Sequence, residues 1–280
     1  MNKKVLLYIV YGNNEGYYSG AIFSILSFLS KVRDNSISIL VLTEKPKKFE
    51  SLPVKILKLS KDQINEWSLN NRYHFRIKNR GMAYVMDTLG IDEQYKILFF
   101  DTDTYFQTNP APLFDLINTD QALFFRNEGK IYSKRRFKVY VENLKEKEIQ
   151  VDSDFVYSLR PTSSMWGSLM VGLHSSMRNS LEIADKLMLE FKKIVPAHTI
   201  EPFSLSEVIL TKYNLVEGKK YVSNYSTSGK KQYALSVINN FLSKEKNTPI
   251  DSLIKKANKL NLRRSLIIII RQRIKKNISK

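Results

Sequence analysis

Apolar positions in the first hundred residues follow two repeating patterns. Continuous apolar runs predict strands buried on both faces, and apolar residues recurring every three or four positions predict helices. In chain order, the pattern predicts a strand at 5–11, a helix at 17–32, strands at 36–43 and 54–59, a helix at 76–89 and a strand at 96–100. This order implies an α/β fold, in which helices cover a mainly parallel central sheet.

Patterns in the second half of the chain are weaker. They predict strands at 122–125 and 168–173 and helices at 177–194 and 205–213. Two segments stay open: 234–242 fits either a helix or a late strand, and the basic segment 130–148 has a mixed period. Because the composition turns polar near residue 245, we predict a main domain over 1–245 and a separate tail over 246–280.

Two aspartates, Asp101 and Asp103, directly follow the apolar strand 96–100, with Thr102 between them. Ligands of parallel sheets bind outside the carboxyl ends of the strands. Paired carboxylates suit hard cations such as Mg²⁺ and Mn²⁺, which are often shared with substrate phosphates. An Asp-x-Asp turn can also simply end a strand, but the buried strand before it favours a metal site.

The segment 76–117 resembles the GT-A nucleotide-sugar transferases, in particular the glycogenin and lipopolysaccharide galactosyltransferase group and its bacterial relatives. The matching stretches are Arg76-Ile-Lys78, Lys96-Ile-Leu-Phe-Phe-Asp-Thr-Asp-Thr104, Asn109-Pro110 and Leu113-Phe114. The resemblance implies that residues 1–245 form a GT-A catalytic domain. It also implies that Asp101 and Asp103 bind Mn²⁺ or Mg²⁺ and, with Thr102, the donor diphosphate.

Other stretches fit the same family in order. Val10-Tyr11-Gly12, with Tyr17 and residues 24–27, resembles the loop after the first strand that holds the nucleotide base. This resemblance implies donor-binding roles for Tyr11, Gly12 and Tyr17, with the two tyrosines stacking on the base. Residues 165–173 resemble a later strand of the family, and residues 199–206 resemble a segment near the donor sugar.

The chain departs from the family at two places. Gly167 stands where the family strand usually carries Asn. The family's last element, His-x-x-Gly-x-Lys, supplies a third metal ligand and a lysine for the diphosphate, and its nearest counterpart here is 224–231, longer by two residues. By this match Asn224 is the candidate third ligand, and Gly229 and Lys230 are the candidates for the diphosphate, because glycine permits close approach and lysine supplies charge.

Three charged residues near these motifs each have two interpretations. Arg76 and Lys78 could hold the donor's phosphates or sugar, or they could lie on a solvated helix face. The resemblance favours donor binding for Arg76; for Lys78 both interpretations stay open, and we include it among the donor-binding candidates. Glu201 could orient the sugar, act as a base or cap the following helix. We assign Glu201 and Asp103 to catalysis.

The net charge of +18 comes from 45 basic and 27 acidic residues and is uneven along the chain. Residues 244–280 hold 12 basic and two acidic residues, which leaves +8 for residues 1–243. Residues 253–278 alternate apolar and basic positions, which predicts a basic amphipathic helix suited to an anionic membrane surface. In the alternative interpretation, the apolar side of this helix packs on the catalytic domain.

Composition and missing motifs exclude several classes of protein. The chain has no cysteine, so disulfides, thiolate metal sites and cysteine nucleophiles are excluded. Glycine motifs for phosphate loops and dinucleotides are missing, as is the Gly-x-Ser-x-Gly elbow of hydrolases.

The leading hypothesis is therefore sugar transfer from a nucleotide-diphosphate sugar, a UDP-sugar, to a lipopolysaccharide or capsule acceptor. The resemblance suggests that the anomeric configuration is retained. We expect the enzyme to lie peripherally on the cytoplasmic face of the membrane. The alternative is a non-catalytic basic protein that binds membranes or nucleic acid. It would not need a carboxylate pair, and the chain lacks the aromatic and basic platform of nucleic-acid readers, so we expect no nucleic-acid partner.

Overall fold

A central mixed sheet dominates the computed structural model, which describes residues 3–34, 36–90, 94–264 and 269. Within these residues the strands are β1 Lys3–Val10, β2 Ile37–Thr43, β3 Lys55–Lys58, β4 Tyr95–Phe100, β5 Thr104–Tyr105, β6 Gln121–Lys130, β7 Glu148–Asp152, β8 Phe155–Ser158, β9 Ser164–His174, β10 Asn214–Glu217 and β11 Ser223–Asn224. The described strands of the main sheet run in the order β10-β6-β9-β4-β1-β2-β3, and of these β9 alone is antiparallel to its neighbours. The predicted α/β class with a mainly parallel sheet is confirmed.

Helices cover both faces of this sheet. They are α1 Glu15–Leu29, α2 Lys61–Trp67, α3 Arg76–Leu89, α4 Lys138–Leu144, α5 Arg178–Ile194, α6 Ile200–Ile209, α7 Ser228–Lys244 and α8 Ile250–Ala257. Strand β1 shows why two cores form: Leu7 and Ile9 face the core under α3, α5 and α6, whereas Leu6 and Tyr8 face the core under α1 and α7. Full burial of each such aliphatic side chain contributes about 1.5–3 kcal/mol.

Most predicted elements are present, with shifted ends. The helix predicted at 205–213 spans Ile200–Ile209 instead. Pro202 fits into its first turn, because a backbone N–H at that position has no partner within the helix. Residues 234–242 belong to a helix, α7. The basic segment 130–148 forms two short 3-10 turns and α4, and it leads into the β7–β8 hairpin, which the pattern did not predict.

The continuous helix predicted for 253–278 is wrong in its first part. Helix α8 ends at Ala257, and residues 258–264 are not helical. Leu260 and Leu262 both pack on the core beside α1, and residues two apart reach the same side only when the chain leaves the helical path. The start of the tail therefore packs on the main sheet domain, as the alternative interpretation expects. Residues 265–268 and 270–280 of the predicted helix lie outside the described residues.

None of the helices in the described part of the chain is both long enough and apolar enough to cross a bilayer.

A buried ion pair joins α3 to α5. The Arg76 guanidinium donates to both Asp185 oxygens, at 2.8 Å from Nε and 2.7 Å from the terminal nitrogen. The two side chains are only 10% and 7% exposed, and Arg76 also donates to the Glu66 carbonyl at 3.0 Å. Removing one member of such a pair leaves the other charged and desolvated.

We therefore expect Asp185→Ala to lower the free energy of unfolding by about 3–5 kcal/mol, because the Arg76 charge remains buried without its partner. Urea denaturation followed by circular dichroism measures this change. The double variant Arg76→Met/Asp185→Leu should lose clearly less, since no charge is then buried. A single variant as stable as the wild type would show that the pair contributes little.

Candidate active site

One cavity of about 990 Å³ lies at the carboxyl ends of β1 and β4. Most of the residues predicted from the sequence line it together: Tyr11, Gly12, Tyr17, Lys78, Asp101, Thr102, Asp103, Glu201, Asn224 and Lys230. These residues come from seven separate elements or loops, so the fold gathers them. Arg76 and Gly229 are not among the described lining residues.

The aspartate loop is held firmly at the end of β4. The Asp101 N–H donates to the Leu169 carbonyl on β9 at 2.9 Å, and the Tyr225 hydroxyl donates to the Thr102 carbonyl at 3.2 Å. Gly20 on α1 lets the loop lie against that helix, since a β-carbon there would stand 2.5 Å from the Thr102 oxygen. The carboxylates of Asp101 and Asp103 are therefore preorganised.

Asp103 has one paired and one unpaired oxygen. Its Oδ2 lies 3.2 Å from the Lys231 ammonium, whereas its Oδ1 is buried without a hydrogen-bond partner among the described residues. The residue is only 8% exposed, so water does not compensate for the missing partner. A buried acceptor of this kind is costly unless a cation or donor joins it.

Lys78 connects two carboxylates at the base of the cavity. Its ammonium lies 3.5 Å from Asp101 Oδ1 and 3.3 Å from Glu201 Oε2, and it donates to the hydroxyl of Ser168 at 2.8 Å. The Ser168 hydroxyl in turn donates to Glu201 at 3.0 Å. Glu201 thus has a fixed orientation, although its second oxygen, Oε1, is buried with no described partner.

The pKa values of these groups reflect burial and mutual charge. Burial raises the pKa of Asp101 to about 6; Lys78 opposes the shift, and Asp103 and Glu201 add to it. Burial also raises the pKa of Glu201, again opposed by Lys78. Burial alone would lower the pKa of Lys78, but the two carboxylates outweigh it and raise that pKa. Three carboxyl groups thus share two lysines, which leaves an excess of negative charge.

A divalent cation fits this donor set. Asp101 and Asp103 offer carboxylate oxygens, and the orphaned Oδ1 of Asp103 lacks a partner. Asn224 lies beside them because β11 pairs with β5, with Asn224 opposite Thr104. Among the described residues no three His, Asp or Glu side chains gather at one point. Phosphate oxygens would then complete the coordination, as is common for Mg²⁺.

Of the two lysines that begin α7, Lys231 is the one that contacts Asp103. Lys230 and Lys231 both lie in the first turn of α7 and line the cavity, but Lys231 makes the ion pair with Asp103 and lies 5.4 Å from the Tyr17 ring centre. Gly229 lies in the same turn. The spacing Gly229-x-Lys231 reproduces the Gly-x-Lys of the resembled element and was the signal for this residue.

Two residues that the sequence analysis missed, Glu44 and Tyr18, hold the loop after β1. Glu44 accepts hydrogen bonds from the Gly12 N–H and, at 3.1 Å, from the Tyr18 hydroxyl. Gly12, a predicted site residue, has a φ of +87°. Tyr11 donates to the His74 carbonyl at 3.0 Å, whereas Tyr17 remains 37% exposed at the cavity. Of the two tyrosines, Tyr17 has more ring surface left for a base.

The donor-binding assignment of Arg76 has no support in this geometry. Its guanidinium points to Asp185 on α5, with the geometry of a structural pair. Lys78 lies two positions further along α3, about 200° around the helix, and therefore faces the cavity. One residue of the Arg76-Ile-Lys78 stretch is thus in the site and the other in the interior.

Comparison with known proteins supports the fold. No protein-family model matches the chain, and no curated protein matches it either. Among solved structures, the chain is similar to the galactosyltransferase LgtC in complex with donor and acceptor sugar analogs, with 12% identity, a TM-score of 0.50, and coverage of 92% of this chain and 96% of LgtC.

It is also similar to the apo form of the bifunctional glycosyltransferase WbbM, with 11% identity and a TM-score of 0.50 over 92% of this chain. The chain spans about half of WbbM, 52% of its length. Identities this low establish the fold alone. The chain therefore has the GT-A fold of these glycosyltransferases, as the resemblance around Asp101 and Asp103 predicted.

Proposed function

We propose that the protein is a metal-dependent glycosyltransferase that moves a sugar from a nucleotide-diphosphate sugar, a UDP-sugar, to a glycan acceptor. The observation that carries this proposal is the aspartate pair at the end of β4, with an orphaned acceptor on Asp103 and two lysines beside it, inside one large cavity of a GT-A fold. A non-catalytic basic surface would not require a carboxylate pair at the end of a buried strand.

Each side chain has a role that follows from its contacts. Asp101 and Asp103, with Asn224, would hold Mn²⁺ or Mg²⁺, which when bound would stabilise negative charge on the departing nucleotide. Lys231, beside Asp103, and Lys230 would bind the diphosphate from the first turn of α7, where the helix N-terminus also favours an anion.

Glu201 is suited to orienting the donor sugar. Its Oε2 is held by Ser168 and Lys78, so its free Oε1 is positioned to accept a hydrogen bond from a sugar hydroxyl. Although Glu201 lies in the first turn of α6, the carboxylate makes its described contacts with Ser168 and Lys78, which favours a sugar contact over a helix cap.

The acceptor assignment extends the likeness further. LgtC has been solved with an acceptor sugar analog, and we propose that this chain likewise transfers to a surface glycan, a lipopolysaccharide or capsule intermediate, with retention of configuration. We also propose that it acts at the cytoplasmic face of the membrane and that the tail beyond residue 264 contacts anionic lipid. The net charge of +18 supports a membrane association of this kind.

Replacing either aspartate tests the catalytic proposal directly. We expect Asp101→Asn and Asp103→Asn each to lower donor-sugar hydrolysis and transfer at least about 100-fold, because the cation then loses an anionic ligand and the charge of the diphosphate is less well balanced. The exposed Asp154 on the β7–β8 hairpin supplies the control, Asp154→Asn. Hydrolysis is measured as nucleotide release with added Mn²⁺. Near wild-type rates in both site variants would refute the assignment.

Nucleotide binding should depend on both metal and Lys231. We expect calorimetry to show tighter UDP binding with Mn²⁺ or Mg²⁺ than with chelator, since the metal bridges carboxylates and phosphate oxygens. Lys231→Met should weaken UDP binding about tenfold or more, and by more than Lys230→Met, because of these two lysines Lys231 alone has a described ion pair with Asp103. Equal affinity with chelator would count against the metal, and equal effects of the two lysines against the placement of Lys231.

The membrane proposal is tested by truncation after Arg264, which keeps α8 and the packing of Leu260 and Leu262 intact. The full chain should bind anionic vesicles, and high salt should weaken but not abolish binding, because charge is screened within about 8 Å whereas apolar burial is not. The truncated chain should stay in solution. Ile267→Ser/Ile270→Ser should make binding fully salt-sensitive. A truncated chain that still floats with vesicles would disprove the tail as anchor.

A further inference from the structure

The carboxyl end of β6 departs from regular pairing where it meets the cavity. Its register with β9 shifts twice, between Phe124 and Arg126 and again between Asn127 and Gly129. The residues left over by these shifts, Phe125 and Glu128, both line the cavity, as does Arg126. Bulges redirect side chains out of the normal alternation. Here they turn the end of an otherwise buried strand into a wall of the site.

Two arginines share the carboxylate of Glu128: Arg126 lines the cavity, whereas Arg136 binds Glu128 from outside the described lining. Arg126 lies 3.2 Å from Glu128 Oε1 and Arg136 lies 3.0 Å from Glu128 Oε2. Arg136 also donates to the Glu128 carbonyl at 3.1 Å. The arginine side chains remain 40% and 54% exposed, so both stay partly accessible to a ligand. One carboxylate cannot neutralise two guanidinium groups, and a positive charge is left over.

Gly167 on β9 makes room for this arrangement. A β-carbon at Gly167 would stand 3.2 Å from Glu128 Oε1, so any side chain would crowd the carboxylate. This is the position where the resembled family usually carries Asn. Because Gly167 has no side chain, the space is occupied by the Glu128 carboxylate, to which the two arginines bind.

The surrounding residues add charge of the same sign. We call residues 126–136 the β6 rim; it holds five basic residues and one acidic residue, Glu128. Lys130, Lys134 and Arg135 are exposed, and no ion-pair partner for them is described. The base of the cavity, by contrast, carries the carboxylates of Asp101, Asp103 and Glu201. The base of the cavity is thus rich in negative charge, whereas the β6 rim carries an excess of positive charge.

We propose that the β6 rim binds a negatively charged group of the acceptor glycan, a phosphate or a carboxylate, with Arg126 and Arg136 as its principal contacts. Planar guanidinium groups bind both anions through paired hydrogen bonds. The donor's own phosphates have Lys231 and the aspartate loop as their site, which leaves the rim for the other substrate. The proposal rests on the proposed sugar transfer, because it assigns the rim to that reaction's acceptor.

The test uses the full chain saturated with UDP and Mg²⁺ on an array of matched neutral, phosphorylated and uronic-acid glycans. The wild type should bind members of one anionic class at least about tenfold more tightly than their neutral counterparts. Arg126→Gln/Arg136→Gln should lose this selectivity, and Arg126→Lys/Arg136→Lys should keep part of it. The matched control, Arg33→Gln/Lys55→Gln, removes two exposed charges outside the cavity lining and should behave as the wild type.

The two anionic classes distinguish phosphate from carboxylate. Equal binding of neutral and anionic glycans, no binding of any anionic glycan, or the same loss in the control variant would overturn the proposal. The proposal would also be overturned if Arg126 and Arg136 were required for binding a single-stranded oligonucleotide rather than an anionic glycan. UDP binding, measured on every variant by calorimetry, separates the two levels: its absence in the wild type refutes the proposed function, whereas intact UDP binding without anion selectivity refutes the rim alone.

Discussion

The buried ammonium of Lys78 is the interaction on which the rest of the site depends. Asp101 ends β4, Ser168 lies on β9 and Glu201 begins α6, and Lys78 contacts all three. Without a cation between them, the half-buried Asp101 and the fully buried Glu201 would repel each other, and the charge of Glu201 would be desolvated without compensation. The fold brings Asp101 and Glu201 close together, and Lys78 stabilises this arrangement by offsetting their charge.

Partial compensation is the second feature of the site. Lys78 and Lys231 offset some of the negative charge, yet Asp103 and Glu201 each keep one buried oxygen without a described partner. Such unsatisfied acceptors are rare in folded proteins because each costs free energy. Both of these residues line the same cavity, which supports the proposal that a bound substrate completes the site. This is the physical basis for reading it as a donor site.

Residue chemistry alone does not decide a role, as three basic residues show. Arg76, Lys78 and Lys231 carry the same formal charge but have different partners. Arg76 forms a structural ion pair with Asp185, Lys78 contacts Asp101 and Glu201, and Lys231 pairs with Asp103. The same holds for apolar residues of the tail. Leu260 and Leu262 fit a membrane-facing pattern, yet they pack on the core beside α1.

Sequence by itself determined the strands and helices around Asp101 and Asp103, because apolar periodicity reports directly which faces of an element are buried. It also determined that the aspartates stand at a strand end, and hence the GT-A expectation. Only the tertiary structure decided that Lys231 rather than Lys230 meets Asp103, that Arg76 turns inward, and that bulges in β6 turn Arg126 and Glu128 toward the cavity. Those outcomes depend on contacts between segments 30 to 130 residues apart, whose distances and angles no local pattern encodes.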